Sequence, residues 1–157
     1  MYQHILVALD GSEVSEAVLP HVEGLARALS ARVLLLRAVN VTATVVAASG
    51  GDGGMVPPDL IEEAIEGEEE DAQTYLTRIA ERLEAAGVQA SWQVVEGDPT
   101  RAIVDTAHKE SCELIALATH GHTGIARAVL GSVADQVVRD SHLPVLLVRP
   151  PVAPPAE

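Results

Sequence analysis

The sequence predicts an α/β protein in which one parallel β-sheet is covered by helices on both faces, a doubly wound arrangement. Short apolar runs bounded by polar residues are typical of strands that are buried on both faces. Five such runs occur, at residues 4–9, 33–39, 90–95, 114–118 and 145–148. Helical patterns separate these runs, and strands that alternate with helices imply right-handed crossovers and a parallel sheet.

Composition indicates one domain and argues against two classes of partner. The 157 residues predict a single domain over residues 1–150 and a disordered Pro-rich tail over residues 151–157. The formal net charge of −13 argues against nucleic acid and against an anionic membrane surface, because both require a basic face. We expect no transmembrane helix and no signal peptide, since no long apolar span and no basic N-terminal head occur.

The single cysteine, Cys112, points to a reducing compartment. It cannot form an internal disulfide, and we expect an inert, partly buried thiol in a cytoplasmic protein. A redox role is the alternative interpretation.

The first half of the chain contains two predicted helices and a long connection. Ser12 is the predicted N-cap of the first helix, which carries one apolar stripe. The stripe consists of Val18, Val22, Leu25 and Leu29. Residues 40–57 predict a long loop, of the kind that serves as a lid or is disordered. Pro58 suits the first turn of a helix that runs to about Ala86, and its acidic run, Glu66 to Asp71, predicts a solvated face rather than a metal site.

Two predicted caps mark the helices of the second half. Asp98 and Pro99 suit the N-cap and the first position of a helix. Ser132 fits as the N-cap of a last helix that runs to about Asp140, with Asp135 three residues on in a capping-box position.

The segment between the fourth predicted strand and the last helix is rich in glycine. It contains Gly121 and Gly124, and Gly131 precedes Ser132. A strand, a glycine loop and a helix N-terminus together place several backbone N–H groups around one hollow. Since the helix dipole also favours an anion there, this segment predicts a phosphate site and hence a nucleotide site.

The predicted fold also indicates where a ligand lies. In open α/β sheets the crevice lies beyond the carboxyl ends of the strands, where the strand order switches. Asp10 follows the first strand, and Ala38 and Val39 end the second. Asp10 would meet a ribose or a phosphate-bound Mg²⁺, because a carboxylate that faces phosphates needs an intervening cation. Alternatively, Asp10 caps the turn into the first helix together with Ser12, and the sequence leaves both roles open.

Several segments, in their joint order and spacing, resemble the universal stress protein family. They are residues 5–12 (Ile-Leu-Val-Ala-Leu-Asp-Gly-Ser), Gly97-Asp-Pro99, Gly121, Gly131-Ser-Val-Ala134 and Pro144-Val-Leu-Leu-Val148. The resemblance covers residues 3 to about 149. It implies a Rossmann-like, adenine-nucleotide-binding fold with strand order 3-2-1-4-5, and a homodimer formed through the last strand, Val145–Arg149.

The resemblance also implies a glycine motif, from which this chain departs at one position. Members that bind ATP carry Gly-x2-Gly-x9-Gly-Ser/Thr. Aligned back from Gly131-Ser132, the second glycine is Gly121 and the first falls on Ala118. A methyl group there matters only if the residue needs a positive φ or the ligand touches its Cα, and the end of a strand predicts a negative φ. Gly124 is an extra glycine that would loosen the loop.

The resemblance assigns parts of the ligand to individual residues. Ala8, Leu9 and Asp10 would line the ribose side, and Ala38 would meet the adenine through its backbone. The phosphates would be held by Gly121, Gly131, Ser132 and Val133.

Three side chains of the glycine loop allow sharper interpretations. His120 and His122 would face the phosphates, because a metal pair needs further ligands that the sequence does not supply. Alternatively, His122 is a solvated side chain. The His-x-Gly-His element of related nucleotidyltransferases follows their first strand, so its likeness here, after the fourth, is taken as coincidence. Arg127 is either a γ-phosphate partner or a helix-surface arginine. No Gly-x4-Gly-Lys-Ser/Thr occurs, so no fast ATPase is expected.

Three hypotheses about function remain. The first is a cytoplasmic, homodimeric binding module for Mg-ATP with at most slow hydrolysis, because backbone donors hold phosphates without supplying a base. The second is a nucleotide hydrolase or transferase that uses Asp10, His120 or Arg127. The third is an interaction protein that has lost the ligand. In each case Val145–Arg149 predicts a symmetric partner, since a flat apolar edge strand tends to pair.

Overall fold

The computed structural model describes residues 1–50, 54–119 and 131–151 of the chain. Its centre is one five-stranded sheet in the order β3-β2-β1-β4-β5, and every neighbouring pair is parallel. The strands are β1 His4–Ala8, β2 Arg32–Val39, β3 Ala90–Glu96, β4 Leu114–Ala118 and β5 Val145–Val148. The predicted parallel sheet and the implied order 3-2-1-4-5 are confirmed.

Helices connect the strands and cover the sheet. They are α1 Glu13–Glu16, α2 Leu19–Leu29, α3 Val41–Ala48, α4 Pro58–Ala85, α5 Pro99–Lys109 and α6 Ser132–Asp140. In the described parts of the chain, none of these helices is both long and apolar enough to cross a membrane.

The core consists of two apolar layers, one on each face of the sheet. Ile5 and Val7 of β1 belong to the layer that includes Val22 of α2 and Leu76 of α4. Leu6, between them in sequence, belongs to the opposite layer with Ile103 of α5 and Val137 of α6. Because side chains alternate along a strand, a strand covered on both faces must be apolar at every position. This is why β1, β2 and β4 appear in the sequence as nearly continuous apolar runs, with His4 at the start of β1 and Arg32 and Arg37 in β2 as the exceptions.

The predicted first helix is wrong in one respect, because the structure divides it. Ser12 is the N-cap as predicted, and its Oγ accepts a hydrogen bond from the Ser15 N–H over 3.1 Å. However, α1 ends at Glu16 and α2 begins only at Leu19. Pro20 explains the break, since in a continuous helix its ring would clash with the carbonyl of Glu16, four residues earlier.

The predicted loop over residues 40–57 is wrong in its first part. Residues Val41–Ala48 form α3, and the side chain of Asn40 caps it by accepting a hydrogen bond from the Ala43 N–H over 3.2 Å. The helix predicted from Pro58 is confirmed and ends at Ala85, next to its predicted end. Of the predicted tail, residues 152–157 lie outside the described residues.

Candidate functional site

A cleft of about 540 Å³ opens at the carboxyl edge of the sheet, beside the N-terminus of α6. It lies where the strand order switches, because β1 has β2 on one side and β4 on the other. Its walls are formed by Ala8, Leu9, Asp10, Ser15, Leu36, Ala38, Pro99, Ile103, Leu117, Ala118, Gly131, Ser132, Val133 and Ala134. This is the position at which open α/β sheets bind ligands.

The inner part of the cleft is apolar. Leu36 of β2, Leu117 of β4 and Ile103 of α5 are buried core residues whose side chains also reach the cleft. Pro99, at the start of α5, closes the same side. A mainly apolar pocket with a few oriented polar groups is typical of small-molecule sites, and this floor suits a flat ring such as a nucleobase.

The backbone of Ala38 offers polar groups above that floor. The Leu36 carbonyl accepts from the Leu9 N–H over 2.9 Å on one side of β2, and the Val39 carbonyl accepts from the Gly97 N–H over 2.9 Å on the other. Because peptide groups alternate along a strand, the N–H and C=O of Ala38 point to the β1 side, beyond the end of β1. A paired donor and acceptor at this position matches the edge of a base.

The N-terminus of α6 differs from its predicted form. Gly131, with φ +82°, is the N-cap, and Ser132 is the first helical residue. The predicted Ser132 cap and its capping box are therefore wrong, and Asp135 instead pairs with Arg139 over 2.7 Å. Among the described residues no side chain caps α6, and the same holds for α2 and α4, whereas Ser12, Asn40 and Asp98 cap α1, α3 and α5. The first-turn N–H groups at the cleft are thus left to bind water or an anion.

Asp10 performs the capping role that the sequence left open. Its Oδ1 accepts hydrogen bonds from the Ser12 N–H over 2.8 Å and from Ser12 Oγ over 2.6 Å. These contacts orient the carboxylate within the turn that follows β1, at the wall of the cleft. This capping geometry does not test the predicted ribose or Mg²⁺ role of Asp10, which stays a prediction.

The structure brings most of the predicted site residues together. The cleft walls include Ala8, Leu9, Asp10, Ala38, Ala118, Gly131, Ser132 and Val133. Val39 is buried beside them, with its carbonyl already bonded to Gly97. The remaining predicted residues, His120, Gly121, Gly124 and Arg127, lie outside the described residues. Their roles, like every ligand contact of this site, stay predictions.

Ala118, where the resemblance implies a glycine, is the last residue of β4 and keeps strand conformation. It is not among the described residues with positive φ, as its position predicted. Its methyl group therefore causes no backbone strain and only narrows the cleft.

Sequence reasoning missed the apolar floor and one charged neighbour. The sequence pattern is that of core residues at Leu36, Ile103 and Leu117, and only the fold shows that these residues also line the cleft. Arg37 was also missed, although its guanidinium packs against Gly11 behind the Asp10 turn. An arginine in an otherwise apolar strand run was the available signal.

The fold defines an open-sheet α/β protein with a cleft at the topological switch. The universal stress protein family model matches residues 1–149. The chain belongs to the universal stress protein family.

Relatives cover almost the whole chain. Universal stress protein MJ0531 of Methanocaldococcus jannaschii is 33% identical over 151 residues, which are 96% of this chain and 84% of the relative. Sll1388 of Synechocystis is 29% identical, over 94% of this chain and 98% of the relative. The solved structure of MJ0577 matches with a TM-score of 0.80 at 27% identity, covering 98% of this chain and 99% of that one. A universal stress protein in complex with cAMP matches with a TM-score of 0.64 at 26% identity, over 94% and 97% of the two chains.

Proposed function

We propose that this chain binds an adenine nucleotide, ATP with Mg²⁺, in the cleft at the carboxyl edge of the sheet. It acts as a cytoplasmic stress-response module whose state depends on the bound nucleotide. One observation carries the proposal: the same cleft combines an apolar floor with a helix N-terminus that no side chain of the described residues caps. The floor accepts the base, and the first-turn N–H groups accept a phosphate.

A relative supports the class of ligand. The universal stress protein solved with cAMP is 26% identical to this chain, and the match covers 94% of this chain. Cyclic AMP contains the adenine, ribose and phosphate that the cleft would have to hold. The likeness favours adenine nucleotides as a class, and the choice of ATP rests on the resemblance of the Gly131-Ser132 segment.

Asp10 makes Mg²⁺ part of the proposal. Among the described residues that line the cleft, Asp10 is the only one with an ionisable side chain. Its negative charge would repel a phosphate chain unless a cation lies between them. A hydrated Mg²⁺ held by one carboxylate and the phosphates satisfies this requirement.

The same inventory favours binding over rapid hydrolysis. Asp10 is already an acceptor for Ser12. The other described wall residues supply hydroxyl, apolar or backbone groups. Such groups position phosphates but do not activate water, so we expect hydrolysis to be slow at most.

We also propose that the protein is a homodimer paired through Val145–Arg149. In β5, Val145, Leu146 and Leu147 are apolar yet only partly buried, and β5 is the edge of the sheet. An exposed apolar edge strand is stabilised by pairing, and a symmetric partner satisfies both copies at once. Light scattering at micromolar concentration tests this, and a monomeric mass would contradict it.

Two measurements test the nucleotide proposal. Mass spectrometry of the denatured protein should detect a copurified adenine nucleotide, and calorimetry with Mg-ATP should detect binding. The matched variants are Ala118→Leu, which fills the cleft, and Ala118→Gly, which widens it. We expect Ala118→Leu to abolish binding and Ala118→Gly to retain it.

The other two hypotheses predict different results. If the wild type binds nothing but Ala118→Gly binds ATP, the chain is an interaction protein that has lost the site. If the wild type turns over nucleotide at about 1 per second or faster, and Asp10→Ala abolishes this with the fold intact, it is an enzyme.

A further inference from the structure

We propose that Arg37 is a positioning residue for this site: its guanidinium holds the Asp10-Gly11-Ser12 turn in the form that presents Asp10 to the nucleotide. The inference rests on the proposed nucleotide site and names a residue that acts on it from outside the cleft.

Arg37 lies on the opposite face of the sheet from the cleft. Its neighbours in β2, Leu36 and Ala38, line the cleft, so by strand alternation Arg37 projects to the α4 side. There its guanidinium lies over the Tyr75 ring, 5.6 Å from the centroid, and its Nη2 is 3.6 Å from Glu68 Oε2. The side chain is only 17% exposed. A planar guanidinium held by an aromatic face and a carboxylate has little freedom to move.

From this position the guanidinium reaches over the edge of the sheet to Gly11. A Cβ added to Gly11 would lie 3.1 Å from both Cζ and Nη1 of Arg37. Gly11 also has a φ of +88°, a backbone angle that residues other than glycine rarely adopt. The turn after β1 therefore packs against Arg37 at Gly11, the residue of this turn whose backbone has the most conformational freedom. Without the guanidinium, other Gly11 conformations become accessible.

The conformation of Gly11 decides where the Asp10 carboxylate points. Asp10 Oδ1 binds both the backbone N–H and the hydroxyl of Ser12, across Gly11. A change in the Gly11 dihedral angles moves the Ser12 N–H relative to Asp10 and breaks this pair of bonds. Arg37 thus acts on Asp10 through two steps of direct contact.

Tyr75 gives Arg37 a fixed platform. Burial, followed by the charge of Glu16, raises the pKa of Tyr75 to about 12, so the ring stays neutral. Arg78 lies over the same ring, also 5.6 Å from its centroid, and pairs with Glu16 over 3.7 Å. Arg78 therefore has the same charge as Arg37 and makes the same kind of contact with the Tyr75 ring. The three atoms nearest to a Cβ added at Gly11 all belong to Arg37, which makes Arg78→Ala a matched control.

The first experiment needs no nucleotide. Amide hydrogen exchange of the wild type, Arg37→Ala, Arg37→Lys and Arg78→Ala should show faster exchange at Gly11 and Ser12 in the two Arg37 variants only. Lysine keeps the positive charge but lacks the planar guanidinium, so Arg37→Lys should restore the protection of these two amides only in part. Equal protection at Gly11 and Ser12 in all four proteins would overturn the inference, even if the protein binds ATP.

The second experiment measures binding. Arg37→Ala should weaken Mg-ATP by a factor on the order of tenfold and adenosine much less, because Asp10 acts on the phosphates through Mg²⁺. In an Asp10→Asn background, Arg37→Ala should not weaken ATP binding further. If Arg37→Ala acted only by destabilising the fold, it would weaken binding in this background as well. A loss of ATP affinity in the Asp10→Asn background as large as in the wild type would instead indicate a direct charge effect on phosphate and refute positioning. If the wild type binds neither ligand, the proposed function fails, and the exchange experiment alone decides whether Arg37 orders the turn.

Discussion

Thr100 Oγ1 donates a hydrogen bond to Gln136 Oε1 over 2.9 Å, and this bond joins the two helices that flank the cleft. Thr100 belongs to the first turn of α5 and is buried, whereas Gln136 of α6 is exposed. The bond therefore fixes the start of α6 relative to the apolar floor.

The two ends of this bond should respond differently to substitution. Gln136→Ala leaves the buried Thr100 hydroxyl without its partner and should cost about 1–2 kcal/mol of unfolding free energy. Thr100→Val removes the hydroxyl and keeps the shape, so it should cost less, about 0.5–1 kcal/mol. Urea unfolding measures both, and the double variant should match Thr100→Val. A larger cost for Thr100→Val than for Gln136→Ala would contradict this account.

Gly11→Ala and Gly67→Ala form a matched pair with opposite expected signs. At Gly11 the positive φ of +88° and the Arg37 guanidinium oppose a methyl group. That substitution should cost about 1–2 kcal/mol. Gly67 lies within α4 with open space around it, so Gly67→Ala should stabilise by about 0.5–1 kcal/mol. Thermal or urea unfolding of the two variants, compared with wild type, checks both signs.

Stability should fall as the solution becomes mildly acidic, because of His4. Burial, followed by the positive charge of Arg32, lowers the pKa of His4 below 6.5. Its Nδ1 lies 3.2 Å from Arg32 Nη2 and 3.0 Å from the Glu110 carbonyl oxygen. A lowered folded-state pKa means that the unfolded state binds the proton first, so this contribution is complete above pH 6.5 and is lost as the pH falls through the folded-state pKa. Urea midpoints from pH 8 to pH 5 should fall more steeply for wild type than for His4→Gln, and parallel slopes would rule out His4 as the cause.

Cys112 should be unreactive in the native protein and should reduce stability at high pH. Burial, followed by the charge of Glu110, raises the pKa of its thiol from 9.0 to about 11. Between these two values the unfolded thiol ionises while the folded one stays neutral, so the free energy of unfolding falls as the pH rises. A thiol reagent at pH 8 should modify the protein only after denaturation. Cys112→Ser removes this titration, and rapid labelling of native wild type would contradict the inert-thiol interpretation.

The apolar runs predicted the strands and their parallel pairing because burial on both faces leaves a local signature, whereas the strand order came from the family resemblance. Local capping chemistry was also readable: Asp98 accepts a hydrogen bond from the Arg101 N–H over 3.0 Å, and Pro99 begins α5, both as predicted. The helix α3 was missed since its β-branched residues and the glycines that follow favour a loop, while its Asn40 cap gives a weak signal. Ser132 was misassigned because a serine next to a glycine fits two cap registers equally well.

The site was less accessible to sequence reasoning, for a physical reason. The backbone donors at Gly131-Ser132 follow from local sequence, but the apolar floor depends on which end of each strand faces which helix. The contact of Arg37 with Gly11 joins residues that are distant in the chain. Such contacts arise from the packing of β2 beside β1, and no local pattern encodes them.

Four alanines, Ala8, Ala38, Ala118 and Ala134, stand around the cleft and come from three strands and one helix. At these four positions the space for a ligand is bounded by methyl groups, the smallest side chains short of glycine. A single nucleotide change converts an alanine codon to valine, so each of these positions offers a one-step narrowing of the cavity that leaves the sheet register untouched. The size of the ligand that this cleft can hold is consequently open to gradual evolutionary change, by substitution of one alanine at a time.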